Sequence, residues 1–117
     1  SLLVKLQISL AMNHSNLNAI EAKEFFPGVK GKFIHGDGLS WAFWNIDAHA
    51  EVPRHQHVHE QMMHVVSGQF EFEIDGTKRL CHPGDVVCIP SNIPHYGKAI
   101  TDCVLMDVFT PVREEYR

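Results

Sequence analysis

Long apolar stretches are missing from this chain. No run reaches 18 residues in its 117, so no segment reads as a membrane-spanning helix. Basic clusters are missing too. Ten Lys and Arg stand against 14 Asp and Glu, for a net charge of -4 with neutral histidines, which makes nucleic acid and anionic membranes poor partners. Cysteine is scarce: Cys81, Cys88 and Cys103 are widely spaced in apolar runs and form no CxxC pair. That pattern predicts buried, reduced thiols in a cytoplasmic protein. Helical periodicity is nearly absent, as are repeats, linkers and low-complexity tracts. What remains is one domain whose 44% apolar content can form a core without disulfide staples.

Period-two alternation dominates. Leu2, Val4, Leu6, Ile8 and Leu10 alternate with Lys5, Gln7 and Ser9, which predicts an N-terminal strand rather than an intact signal peptide. Ser15-Asn16 predicts the cap of a short helical turn over 18–25, ahead of Pro27-Gly28. From residue 31 onward the reading is nearly all strand: 32–35, 39–47, 61–67, 69–74, 77–81, 86–89 and 102–110. Asp75-Gly76 is a two-residue hairpin turn. Residues 1–30 thus read as a strand and helical turn, and 31–117 as an all-β sandwich or barrel. In the last strand, Val104, Met106 and Val108 point one way, while Cys103, Leu105, Asp107 and Phe109 point the other. Asp107 is expected inside the barrel, where burial would raise its pKa and a nearby cation would lower it; an Asp satisfied by backbone donors is the alternative. The apolar faces of 2–10 and 104–108 both need cover, which predicts a homodimer.

The chain's chemistry concentrates in histidine. Five of its nine histidines (His49, His55, His57, His59 and His64) fall within sixteen residues. His55, His57 and Gln61 share parity, so in an extended strand they would leave one face. His95, from the later run IPSNIPH, is the candidate for a fourth ligand of a divalent ion. His59 is expected at the rim or just behind the site, Glu60 facing away, and His14, His35, His49 and His82 on the surface. Trp41 and Phe43 share a strand face opposite Trp44; core filling is the reading for all three, and one ring lining a sugar pocket is the alternative.

These residues resemble the cupin motifs. The first motif, G-x5-HxH-x3,4-E-x6-G, is matched by His55, His57 and Gly68, with Gln61 where glutamate is usual and His49 where the first glycine is usual. The second, G-x5-PxG-x2-H-x3-N, is matched by Gly84, Pro90 and His95, with Asn92 replacing the internal glycine and Ala99 the final asparagine. The resemblance implies a single-domain jelly-roll barrel (a double-stranded β-helix) and a metal site of His55, His57, Gln61 and His95. HxHxHEQ followed by DVFTPVREEY is further similar to the small cupins of pectin and alginate breakdown, which open 4,5-unsaturated uronic acids to linear keto sugars. That narrower resemblance implies functional roles for Asp107, Phe109 and Arg113, and an acidic sugar as the small-molecule substrate.

Three neutral imidazoles and an amide would leave a divalent charge uncompensated, favouring an anionic substrate or a hydroxyl oxygen. Zinc, nickel, iron, copper and manganese all remain open. Arg113 would clamp the substrate carboxylate; a solvated tail arginine paired with Glu114 or Glu115 is the alternative. Two other functions stay open: a cupin dioxygenase or other metal-dependent cupin enzyme on another small molecule, and a non-catalytic sugar-binding cupin.

Overall fold

Residues 103–110 alternate strictly between buried and partly exposed positions, with Cys103, Leu105, Asp107 and Phe109 inside. Around this strand the computed structural model, which describes residues 12–117, wraps two antiparallel sheets. The strands are β1 (Lys23–Phe26), β2 (Val29–His35), β3 (Ser40–Ile46), β4 (Glu51–His55), β5 (Glu60–Ser67), β6 (Phe70–Ile74), β7 (Thr77–Cys81), β8 (Val86–Ile89), β9 (His95–Ala99) and β10 (Cys103–Thr110). One sheet runs β1-β2-β3-β10-β5-β8 and the other β4-β9-β6-β7. The inner faces meet in a core that includes Val29, Ile46, Met63, Val65, Phe70, Ile89 and Leu105. This is the jelly-roll arrangement the cupin resemblance implies, and one form of the sandwich or barrel the alternation predicts. No helix among the described residues is long and apolar enough to cross a membrane.

Several expectations need correction. Among the described residues helix is confined to two 3-10 turns, one at Glu114–Tyr116 and one at Leu17–Ala19, where the Asn16 side chain accepts from the Asn18 N–H. Residues 23–26 form β1 instead, because Phe25 packs among Phe33, Trp44 and Tyr116; tertiary burial overrides weak local propensity. Of the three thiols, Cys81 and Cys103 are buried but Cys88 is exposed, since it lies on the outer face of β8 beside Met62. The alternation read over residues 2–10 lies outside the described residues.

Strands β4 and β9 escaped the periodicity reading. β4 contains Pro53, and it occupies the edge of its sheet, where a missing N–H is tolerated. β9 carries Gly97 at an inward position. A Cβ there would lie 2.3 Å from the Phe70 ring, so glycine is what lets Phe70 fill the core. Two positions at which the motifs usually carry glycine, His49 and Asn92, adopt left-handed backbone conformations with φ of 72° and 61°. His and Asn are among the few side-chain-bearing residues that tolerate this region.

Candidate metal centre

His55 ends β4, His57 sits in the connection 56–59, and Gln61 enters β5. The three therefore do not share one strand face. They converge because the chain crosses here from the four-stranded sheet to the six-stranded one. His95 begins β9 and pairs directly with His55 across the ladder. The ligating nitrogens of His55, His57 and His95 all lie within 4.8 Å of one another, and the His55 and His95 ring centroids are 4.2 Å apart.

The proton arrangement points three lone pairs inward. His55 Nδ1 donates to the Pro53 carbonyl at 2.8 Å, His57 Nδ1 to His59 O at 2.9 Å, and His95 Nδ1 to Ile93 O at 2.8 Å. Because a carbonyl can only accept, each Nδ1 carries the proton and each neutral ring turns an unprotonated Nε2 toward the centre. His95 Nε2 is buried with no hydrogen-bond partner among the described residues. His57 Nε2 faces Gln61 Oε1 at 3.1 Å, one acceptor against another. Two converging acceptors and an orphaned third are repulsive alone and favourable around a cation, so this donor set could hold a divalent metal. Burial and the positive charge of Arg113 hold His57 down at about 4, and burial likewise lowers His95. Both effects keep the nitrogens unprotonated and able to coordinate.

Beside the imidazoles, a cavity of about 260 Å³ opens into the barrel, lined by Gln61, Asp107, Phe109, Arg113 and Trp44 among others. Asp107 is 5% exposed. Burial raises its carboxyl to about 7, although hydrogen bonding from Gln61 and Trp44 and the Arg113 charge pull the other way. The Trp44 indole donates to Asp107 Oδ2 at 2.9 Å. Oδ1 lacks a partner of good hydrogen-bond geometry among the described residues.

Arg113 is buried rather than solvated. Its guanidinium lies over the rings of Phe109 and Tyr116, 4.7 and 4.8 Å from the centroids, and its Nε donates to Glu115. The pairing with Glu115 thus occurs together with burial, not instead of it. Burial of Glu115 would raise its carboxyl, but hydrogen bonding and the Arg113 charge prevail and lower it. His59 is buried behind His57, its Nε2 donating to Val112 O at 3.2 Å. Glu60 is exposed, facing away from the centre.

Two residues in or behind the site carry no functional assignment on sequence grounds. Of the three rings on β3, Trp44 is the one that lines the cavity, beside Asp107; its parity separates it from Trp41 and Phe43 but does not say which face is inner. His35 was read as a surface residue, yet it stacks on Phe33 and bonds Ser40 and Tyr116. Nothing in its local sequence announces contacts with a segment 81 residues away.

Known proteins share this architecture. A cupin domain model matches residues 42–109. The pectin degradation protein KdgF of Dickeya dadantii (strain 3937) is 31% identical over 97 residues, covering 80% of this chain and 88% of the relative. The structure of KdgF from Halomonas sp. superposes with a TM-score of 0.86 at 29% identity, covering 92% of this chain and 100% of that one. An RmlC-like cupin from Shewanella frigidimarina NCIMB 400 gives the same TM-score at 27% identity, covering 92% and 97%. With both sheets, both motifs and these matches in agreement, the chain belongs to the cupin family.

Proposed function

We propose that this protein converts 4,5-unsaturated uronic acids, released from pectin or alginate, into linear keto sugars. The observation that carries the reading is a buried carboxyl, Asp107, that lines one cavity with Arg113, His55 and His95, its Oδ1 lacking a well-formed hydrogen bond among the described residues. The similarity to KdgF, a pectin degradation protein, supplies the substrate class.

His55, His57, Gln61 and His95 hold a divalent cation in this reading. When bound, the cation supplies Lewis-acid attraction for a sugar oxygen. Arg113 binds the C5 carboxylate through the guanidinium edge not engaged by Glu115. Phe109 and Tyr116 fix that guanidinium from its faces. Asp107 moves the proton. A carboxyl titrating near 7 can both accept and return a proton close to neutral pH. Its Oδ1 takes the proton of the anomeric hydroxyl as the C1–O5 bond breaks, and the electron pair leaves on O5 as an enolate. Delivery of that proton to C4 completes the keto product. The reaction is an isomerisation: no oxidant is consumed and no atom is lost. The test follows loss of conjugated absorbance of 4,5-unsaturated galacturonate with metal-loaded protein. The wild type removes it, and Asp107→Asn with equal metal content does not. Oxygen uptake by iron-loaded protein would instead mark a dioxygenase.

The same reading includes a homodimer formed through the outer face of the six-stranded sheet. There Trp41, Val108, Met62 and Cys88 stand in one cross-strand row, and Phe43, Met106, His64 and Val86 in the next. Met62, Val86 and Val108 are 51%, 58% and 38% exposed, so apolar side chains on adjacent strands of this face stand open to solvent. The outer face of the other sheet is charged, with Glu51, Lys98 and Glu71 in register. Sedimentation as a dimer supports this assembly, and a monomer at all concentrations removes it. The free thiols suit a reducing compartment, consistent with a cytoplasmic setting.

A further inference from the structure

The segment after β10 carries Arg113 back across the barrel mouth, and three side chains, two on strands and one on the connection 56–59, hold its backbone. The Arg113 N–H donates to Ser40 Oγ at 2.8 Å. Ser40 Oγ lies 2.7 Å from His35 Nδ1, and His35 Nε2 lies 2.9 Å from the Tyr116 carbonyl. The carbonyl can only accept, so His35 carries its proton on Nε2. Its Nδ1 therefore accepts from the Ser40 hydroxyl. The three bonds form one chain with every donor and acceptor matched, running from the Arg113 amide through Ser40 and His35 to Tyr116. Ser40 is fully buried, so loss of its hydroxyl leaves a buried N–H unpaired. His59 adds a third tether at the Val112 carbonyl. The Tyr116 ring closes the strap against Phe25 and Phe33, each 5.0 Å away between centroids.

We propose that Ser40 and His35 are positioning residues for the carboxylate-binding arginine: they seat residues 112–116 so that Arg113 faces the cavity, and thereby set affinity for an acidic substrate. This rests on the uronate reading for its substrate and on the hydrogen-bond chain for its geometry. Neither residue lines the cavity, so each acts through Arg113. An aromatic stack alone would leave the strap free to shift along Phe25 and Phe33, whereas matched hydrogen bonds fix its register.

The experiment compares Ser40→Ala, His35→Phe (which keeps the stack on Phe33) and His35→Gln (which keeps a donor and an acceptor), each alone and combined with Arg113→Ala. Amide exchange at Arg113 is measured on the same proteins. Ser40→Ala and His35→Phe are expected to raise KM for 4,5-unsaturated galacturonate about tenfold with kcat within about twofold, with His35→Gln intermediate. In the Arg113→Ala background neither adds a further effect, because the residue they position is gone. Arg113 amide protection falls in both. A wild-type KM in the folded single variants, or effects that simply add to Arg113→Ala, overturns the proposal. If the wild type neither turns over nor binds a uronate, the substrate reading fails. Exchange then decides the strap: unchanged Arg113 protection in both variants overturns the seating, and lost protection supports it.

Discussion

Trp44 donates its indole N–H to Asp107 Oδ2, and the other carboxyl oxygen is buried without a well-formed hydrogen bond among the described residues. The two residues sit on neighbouring strands, β3 and β10, with Asp107 opposite Ala42 and Trp44 opposite Leu105. The bond orients the carboxyl through Oδ2 and leaves Oδ1 unengaged by the indole. Trp44→Phe keeps the ring and removes the donor. We expect it to lower kcat by roughly 10-fold to 100-fold with metal content unchanged, and Asp107→Asn to lower kcat by about 10² to 10⁴. Steady-state kinetics with metal analysis of each sample checks both.

Gly31 provides an independent route to the same bond. A Cβ at position 31 would come within 2.5 Å of the Trp44 ring, which already packs on Phe25 and Phe33 and has little room to retreat. Gly31→Ala is expected to displace the indole from Asp107 and reproduce the Trp44→Phe loss of kcat. It should also destabilise the fold by about 1–3 kcal/mol through overpacking. Thermal melting and kinetics on one preparation separate the two effects.

The metal-free protein should show opposing proton linkage. Asp107 titrates near 7 in the fold against 3.8 ordinarily. Between those values the native state holds a proton the unfolded chain has released, so this group removes stability as pH rises. His57 titrates at about 4 against 6.5, and His95 is also lowered. For them the unfolded chain holds the extra proton, and stability rises with pH up to about 6.5. The terms partly cancel in the wild type. Asp107→Asn removes the opposing one, so its urea midpoint should climb more steeply between about pH 4.5 and 6.5 and exceed the wild type's above about pH 7. Equal slopes in chelator-treated samples would contradict this.

Arg113→Lys keeps the charge but loses the planar stack between Phe109 and Tyr116 and the bidentate edge. We expect KM for an unsaturated uronate to rise about tenfold or more, with a smaller effect on kcat. Titration with the neutral methyl ester of the same sugar should show no difference between the two proteins.

Much of the barrel was legible because strands with one wet face write their burial as alternation. β10 carries that pattern over eight residues, and Asp75-Gly76 marks its hairpin through two positive φ values. β4 and β9 were not legible: Pro53 and Gly97 each break the pattern for reasons set by their neighbours. The identities of the clustered histidines and Gln61 could be read, but the cause of their clustering could not. Parity implied a single strand, whereas a crossover between sheets brings them together. The Ser40–His35 chain was invisible, since it depends on a strap returning from the far end of the sequence.

Metal stoichiometry tests the centre most directly. Protein stripped with chelator is dialysed against zinc, nickel, iron or manganese, and bound metal is counted by mass spectrometry for the wild type, His55→Ala, His95→Ala and Gln61→Ala. The account predicts close to one ion per wild-type chain, loss of most of it in either histidine variant, and weakened retention in Gln61→Ala. A wild type that retains none of the four metals, or histidine variants that retain as much as the wild type, would contradict it.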